Sequence, residues 1–249
     1  MAIKTRKISD WLSANGQAIT NASAASMKAY MERNLHSLQD GVYIGKIQND
    51  ADSNVYMRFE GWQTTSIGIS KADADAVVVQ HGSTRIGIAL TEPSIPMRWG
   101  SVQDDNSIGY QKSNDWSLLD GKTRTAAIMA SSYYKNDSPS KYAVAYCYNY
   151  SKSHTGDPGG DISIPAKSWY LPATGELEII RSHFETINLA LQRIKDAGKQ
   201  NADLLTPSDY WSCVEVVGSF AWFLDLSNGS RGYNGKLNNS HRVRPVTAF

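Results

Sequence analysis

Side chains able to do acid–base, nucleophilic or metal chemistry are few in this chain and scattered along it. The histidines, His36, His81, His154, His183 and His241, show no metal-ligand spacing among themselves or with the cysteines. Two cysteines, Cys147 and Cys213, are too few for a disulfide framework. Cys147 lies in the apolar run Tyr142 to Tyr150 and reads as a buried thiol, whereas Cys213 suits either a fixed or an exchangeable position. Asp50-Ala51-Asp52-Ser53-Asn54 begins like a calcium loop, but Val55 replaces the required glycine and Gly61 the closing glutamate, so it reads as a polar turn. Asp157 and Asp161 flank Pro158-Gly159-Gly160, and two carboxylates are fewer than calcium demands. No glycine-rich phosphate loop, serine nucleophile elbow or zinc-protease helix is present. The sequence thus leads us to expect no metal and no cofactor.

What remains is a chain built for contact. Its 25 basic and 24 acidic side chains balance, which points away from nucleic acid and from anionic membranes. Its 7 Trp and 13 Tyr supply contact area at low entropic cost, although small sheet domains also bury such residues, and most of the tryptophans read as core. No apolar run reaches membrane-spanning length. The start, MAIKTRKISDWLSANGQAIT, lacks the apolar stretch and small-residue cleavage site of a secretory signal, so none is expected.

The elements that would position contacts follow from periodicity. Ala24 to Gln39, capped by Asn21 or Ser23, carries Met27, Tyr30, Met31, Leu35 and Leu38 on one stripe and predicts a helix. Val42 to Ile47, Val55 to Gly61, Ser66 to Ser70, Ala76 to Gln80 and Thr84 to Leu90 predict a meander. Thr91 to Gly100, with two prolines, reads as a linker, which divides the chain into a helix-plus-sheet assembly domain at 1–95 and a second domain at 96–249. In the second, helices are expected from Asp120 to about Ser131, from Lys141 to Tyr150, from a Thr174 cap, and from Glu185 to Ala197 with Gly198 as terminator. Ser151 to Pro165 reads as a long loop. Strands are expected at Tyr210 to Val217, Ala221 to Leu226 and Arg242 to Phe249, with Asn228-Gly229 and Asn234-Gly235 as hairpin signals. Alternation puts Trp222, Leu224 and Leu226 toward the core and leaves Phe223, Asp225 and Ser227 on a free face. The fold class is α+β.

The fragments Tyr210-Trp211-Ser212, Glu215, Ala221-Trp222, Ser227-Asn228-Gly229, Lys236 and Arg242-Val243-Arg244-Pro245-Val246 resemble the C-terminal cassette of variable proteins made by diversity-generating retroelements. Trp169-Tyr170-Leu171-Pro172-Ala173 with Gly175-Glu176-Leu177, and Asp120-Gly121-Lys122 before it, are similar to the same families' C-type-lectin-like domain, of the subtype found in formylglycine-generating enzymes. The resemblance covers the chain from about Trp116 and implies a fixed scaffold whose surface, over about 210–249, is rewritten at template adenines. Such rewriting never yields Trp, Lys, Glu, Gln or Met. Trp211, Glu215, Trp222 and Lys236, together with Arg242 and Arg244 of the motif, are then scaffold. Val216, Val217, Ser219, Phe220, Phe223, Ser230, Arg231, Tyr233, Asn234, Leu237 and His241 are the ligand-contact candidates. Val216, Val217, Phe220 and Phe223 would form an apolar centre, with Ser230, Arg231, Asn234 and His241 bonding around it.

The resemblance implies a non-enzymatic, phage-encoded receptor-binding protein carried on the virion, homo-oligomeric and trimeric by analogy with phage fibres, whose partner is a host-surface protein or glycan. A structural subunit of a virion or surface appendage is the alternative. The enzymes that share the architecture need cysteines placed together late in the domain, and Cys147 and Cys213 do not reproduce that pattern.

Overall fold

The computed structural model describes residues 39–49, 55–61, 73–102, 112–154, 162–164, 167–199 and 201–248. The helix expected up to Gln39, the strand Ser66 to Ser70, the Asp50–Asn54 turn and the Asp157/Asp161 pair lie outside the described residues, apart from Gln39 itself.

Among the described residues four strands come first, β1 (Gly41–Asn49), β2 (Val55–Gly61), β3 (Ala76–His81) and β4 (Thr84–Ala89). The runs AVVVQH and TRIGIA are apolar at successive positions, and a strand so composed is stable only when both faces are covered. Both are. Val77, Val79, Ile86 and Ile88 face one core, while Ala76, Val78 and Ala89 face another with Trp169. The expected meander is altered, because β1 pairs with both β2 and β3 and so separates them.

There follow β5 (Met97–Arg98), α1 (Gly121–Ala130), α2 (Ala143–Asn149), β6 (Lys152–His154), β7 (Ile162–Ile164) and β8 (Trp169–Tyr170). The chain continues with α3 (Thr174–Ser182), α4 (Phe184–Asp196), β9 (Asp209–Val217), β10 (Phe220–Asp225), β11 (Arg231–Gly235), β12 (Ser240–His241) and β13 (Val246–Ala248). The architecture is α+β. Its larger sheet has the order β2-β1-β3-β4-β13-β8, and a smaller one the order β11-β10-β9.

The boundary expected after residue 95 is crossed by the larger sheet. β13 lies between β4 and β8, with Val246 opposite both Ile88 and Tyr170. The core crosses it too: Val42, Ile44, Val77 and Ile86 pack with Leu177, Ile187, Leu191 and Ile194 of α3 and α4. Nor is Thr91 to Gly100 a loose linker. Met97 and Trp99, two residues apart, both point inward, and β5 pairs with β12. The strand expected from Arg242 to Phe249 is broken by Pro245, which cannot donate to a ladder; only Val246–Ala248 is regular. The ends of the expected 151–165 loop pair as β6 and β7.

Helix α3 starts on its expected cap residue, so the cap position falls one residue earlier, on Ala173. Thr174 is its first residue and spends its hydroxyl on the Asp115 carbonyl, 2.8 Å away. The capping atom comes instead from Glu176, whose Oε2 accepts from the Ala173 N–H at 2.7 Å while Oε1 accepts from the Tyr170 hydroxyl at 3.0 Å. Burial pushes this carboxyl up to about 7, against the pull of those two donors. Gly121 makes room for it, since a Cβ there would lie 2.3 Å from Glu176 Oε2.

Candidate ligand-binding face

The small sheet is where the contact candidates gather, and its packing starts with two indoles. Trp211 donates Nε1–H to the Met97 carbonyl and Trp99 donates to the Ser212 carbonyl, each at 2.8 Å. These reciprocal bonds fasten β9 to the β5 segment. Behind them Lys236 meets Glu215, both with fully buried side chains, and the Lys236 ammonium stands 4.7 Å from the centre of the Trp99 ring. A charge this deep is tolerable only when paired, so the fit of Lys236 to Glu215 fixes how the turn after β11 seats against β9.

A second buried network holds the end of the chain. Glu92 accepts from the Tyr210 hydroxyl at 2.9 Å and meets Arg244 at 3.1 Å and Arg242 at 3.2 Å. Arg244 also donates to the carbonyls of Ala89 and Asp203. Burial raises the Glu92 carboxyl above the usual carboxylate range, and the two arginines oppose that rise. Burial likewise pushes the Tyr210 phenol up to about 12. Sequence reasoning passed over Glu92. The only signal in the sequence was the two-residue spacing of Arg242 and Arg244; it is the burial of Arg244, 1% exposed, that calls for an internal carboxylate.

None of the eleven contact candidates is buried. Val217, Phe220, Ser230, Arg231 and Tyr233 are exposed; Val216, Ser219, Phe223, Asn234, Leu237 and His241 are half-buried. The largest apolar exposures among them are Tyr233 at 54%, Val217 at 48% and Phe220 at 38%. Of the scaffold set, Trp211, Glu215, Lys236 and Arg244 are buried, while Trp222 and Arg242 are half-buried.

The candidates do not form one cluster. Phe220 packs edge-on to Tyr233 at 5.7 Å, Tyr233 to Trp222 at 5.6 Å, and Trp222 to Trp116 at 5.2 Å. Arg231 ends this strip, its guanidinium 4.7 Å from the centre of Trp116 and paired with Glu178 at 2.8 Å. Val217, opposite Phe220 on β9, extends the strip at its other end. Phe223 belongs to the opposite face. It packs with Trp211 and His241, and Gly232 across from it allows this, because a Cβ there would lie 2.4 Å from the Phe223 ring. His241 sits 4.3 Å from Trp211, shares a 3.0 Å hydrogen bond with Asn234, and is held neutral by burial, its pKa lowered to about 4. Ser230 lies in the turn beyond Arg231, at the far end of the hairpin from Phe220.

The expectation that Phe223 marks the free face and Trp222 the core is therefore reversed at this end of β10. Register shifts between β9 and β10 on either side of Ala221 break the simple alternation, so that Ala221 is fully buried and Trp222 and Phe223 are both half-buried. Toward the other end Leu224 and Leu226 enter the core under α3, as alternation had it. The open surface is the part of the Trp222 side that runs out through Tyr233 and Phe220.

A separate groove of about 640 Å³ lies between the 93–98 segment and the 139–142 turn, lined among others by Pro93, Pro96, Pro139, Tyr142 and Tyr146. None of the contact candidates lines it, although Ser240 beside His241 does. Both thiols are fully buried, and burial pushes each well above the ordinary cysteine range. Among the described residues no His/Cys/Asp/Glu group is placed to hold a metal, and no helix is long and apolar enough to cross a membrane.

No family model and no curated protein matches the chain. In three dimensions it is similar to the crystal structure of a fimbrial protein from Bacteroides ovatus, with a TM-score of 0.52 and 14% identity over 85% of this chain and 49% of that one. The chain thus spans about half the length of that protein, and the likeness is one of fold.

Proposed function

We propose that this chain is a ligand-binding protein that presents exchangeable side chains on a C-type-lectin-like scaffold, made by a diversity-generating retroelement, phage-encoded, and serving attachment to a host-surface protein or glycan. One observation carries this reading. Within a single small sheet, of the residue types that adenine rewriting cannot produce, Trp211, Glu215 and Lys236 are buried and interlocked and Trp222 is half-buried, while none of the types it can produce at the candidate positions is buried. Recognition would proceed by complementarity. Phe220, Tyr233 and Val217 supply the desolvated centre, and Arg231 with Glu178 supplies a charged rim. Phe223, Asn234 and His241 act from the other face of the same hairpin, positioning it more than touching ligand. The reading assigns no catalytic step, and two thiols held protonated by burial are in keeping with that. On this reading the protein reaches its target as part of a virion.

The test is genetic first. A near-identical template repeat beside a reverse-transcriptase gene, differing from the 210–249 coding segment only at template adenines, is the expected finding; differences spread evenly over all bases would sink the retroelement reading. The second test is functional: Phe220→Ser with Tyr233→Ser should leave the fold intact and abolish attachment to host cells.

A second reading is favoured by the fold shared with a fimbrial protein, namely a subunit of a surface appendage whose small sheet serves packing between subunits. It requires that Phe220 and Tyr233 become inaccessible in the assembled particle. Limited chemical labelling of Tyr233 in assembled and dissociated protein separates the two.

A further inference from the structure

We infer that the outer edge of β11 pairs with the same edge of a second copy of this chain, joining two small sheets into one across a two-fold axis at Tyr233. The evidence is backbone direction. Asp225 donates to the Ser230 carbonyl and Lys236 to the Ser219 carbonyl, each at 3.0 Å, and the register between them pairs Phe223 with Gly232 and Ala221 with Asn234. In an antiparallel ladder hydrogen-bonded pairs alternate, so Ser230, Gly232, Asn234 and Lys236 turn their N–H and C=O groups toward β10. Arg231, Tyr233 and Gly235 turn theirs outward. Among the described residues no strand lies on that side, since β11 ends the order β11-β10-β9. The Gly235 carbonyl accepts from the Asn239 N–H at 3.1 Å and retains a second lone pair.

The segment Arg231-Gly232-Tyr233-Asn234-Gly235 is complementary to itself in the antiparallel sense. With the axis at Tyr233, each outward residue meets an outward residue: Arg231 meets Gly235 of the second copy, and Tyr233 meets Tyr233. No like charges face each other, because each arginine lies opposite a glycine and is already balanced by Glu178 of its own chain. Of the other strands of this length that end a sheet among the described residues, β9 carries register shifts and β2 ends the larger sheet, away from the hairpin. The axis is perpendicular to the sheet, so the Phe220–Tyr233–Trp222 strips of the two copies lie on one common face and stay open. The pairing is independent of what that face binds. A five-residue edge spans roughly 17 Å and buries less than a standard interface, so the dimer is weak and concentration-dependent.

Sedimentation of the full chain from about 10 μM to about 1 mM tests this, since that range brackets a weak small interface. Mass should rise toward a dimer. Tyr233→Pro, which deletes an outward N–H and no bond to β10, should remain monomeric with an unchanged circular dichroism spectrum. Tyr233→Ala keeps the N–H and should still dimerise, although it removes a ring on which ligand capture depends, so the edge and the ligand reading fail separately. Should Tyr233→Pro misfold, Tyr233→Cys decides: mild oxidation should link two copies through that position, because the paired Cα atoms are about 5.5 Å apart, whereas Phe220→Cys should not link. Cys147 and Cys213 are buried and do not interfere. A wild-type chain that stays monomeric throughout, or equal cross-linking through positions 233 and 220, overturns the proposal.

Discussion

Two ion pairs stand within the small sheet's reach, and their surroundings differ completely. Glu215 and Lys236 have no exposed side-chain surface, whereas Arg231 keeps 51% of its side chain in water while it meets Glu178. The inner pair has given up all hydration, so each partner depends on the other, and the geometry of the turn after β11 depends on both. The outer pair is screened and replaceable. One layer of the sheet therefore tolerates almost no change and the layer above it tolerates a great deal. This is the physical condition for varying a surface without losing the fold.

The sharpest way to break that contrast is to open the inner pair. Lys236→Met should cost about 3–5 kcal/mol by leaving a buried carboxylate without its cation, measured as a lower urea midpoint. Adding Glu215→Leu should recover most of the loss, since an apolar pair of similar volume is often as stable as the ions it replaces.

A second probe is pH, through Glu176 at the cap of α3. Its folded-state carboxyl titrates at about 7 against 4.5 for the free side chain, so between those values the folded state holds the proton more tightly than the unfolded one. Its contribution is fully present below about 4.5 and is lost as pH rises through about 7, to a total of roughly 3 kcal/mol. Unfolding free energies from urea denaturation should fall between pH 5 and 8 by most of that amount, and Glu176→Gln should flatten the slope.

Phe223 tests where the boundary between the layers falls. Half-buried against Trp211 and His241, Phe223→Ser should cost about 1–2 kcal/mol in stability, less than a full core deletion. The smallest effects belong to the outer layer. Arg231→Ala, Phe220→Ser and Tyr233→Ser should each change stability by less than about 1 kcal/mol in thermal unfolding, while the latter two reduce ligand capture.

Local pattern made much of this legible. The four described helices fall within a few residues of where periodicity and terminators put them, and β9 and β10 were visible from strand composition, whereas β11 lies in the polar stretch expected to be turn and takes in Asn234-Gly235, expected as a hairpin turn. The division into buried Trp211, Glu215 and Lys236 and unburied neighbours came from residue types in the resemblance, not from periodicity, and Trp222 of the same set is half-buried. Long-range pairing was not legible. Nothing near Val246 says that it will sit between Ile88 and Tyr170, and nothing near Trp99 says that its indole will reach Ser212. The face assignment of Phe223 failed for another reason: alternation presumes an unbroken register, and the irregularities beside Ala221 remove that premise.

The place of β13 bears on how the molecule is made. During synthesis the ribosome delivers the strands from Gly41 to Ala89 long before it reaches Val246, so the flank of β4 that β13 will occupy waits with its amide and carbonyl groups bare. A nascent chain in that state is a template for stray partners until the last strand arrives to cover that flank.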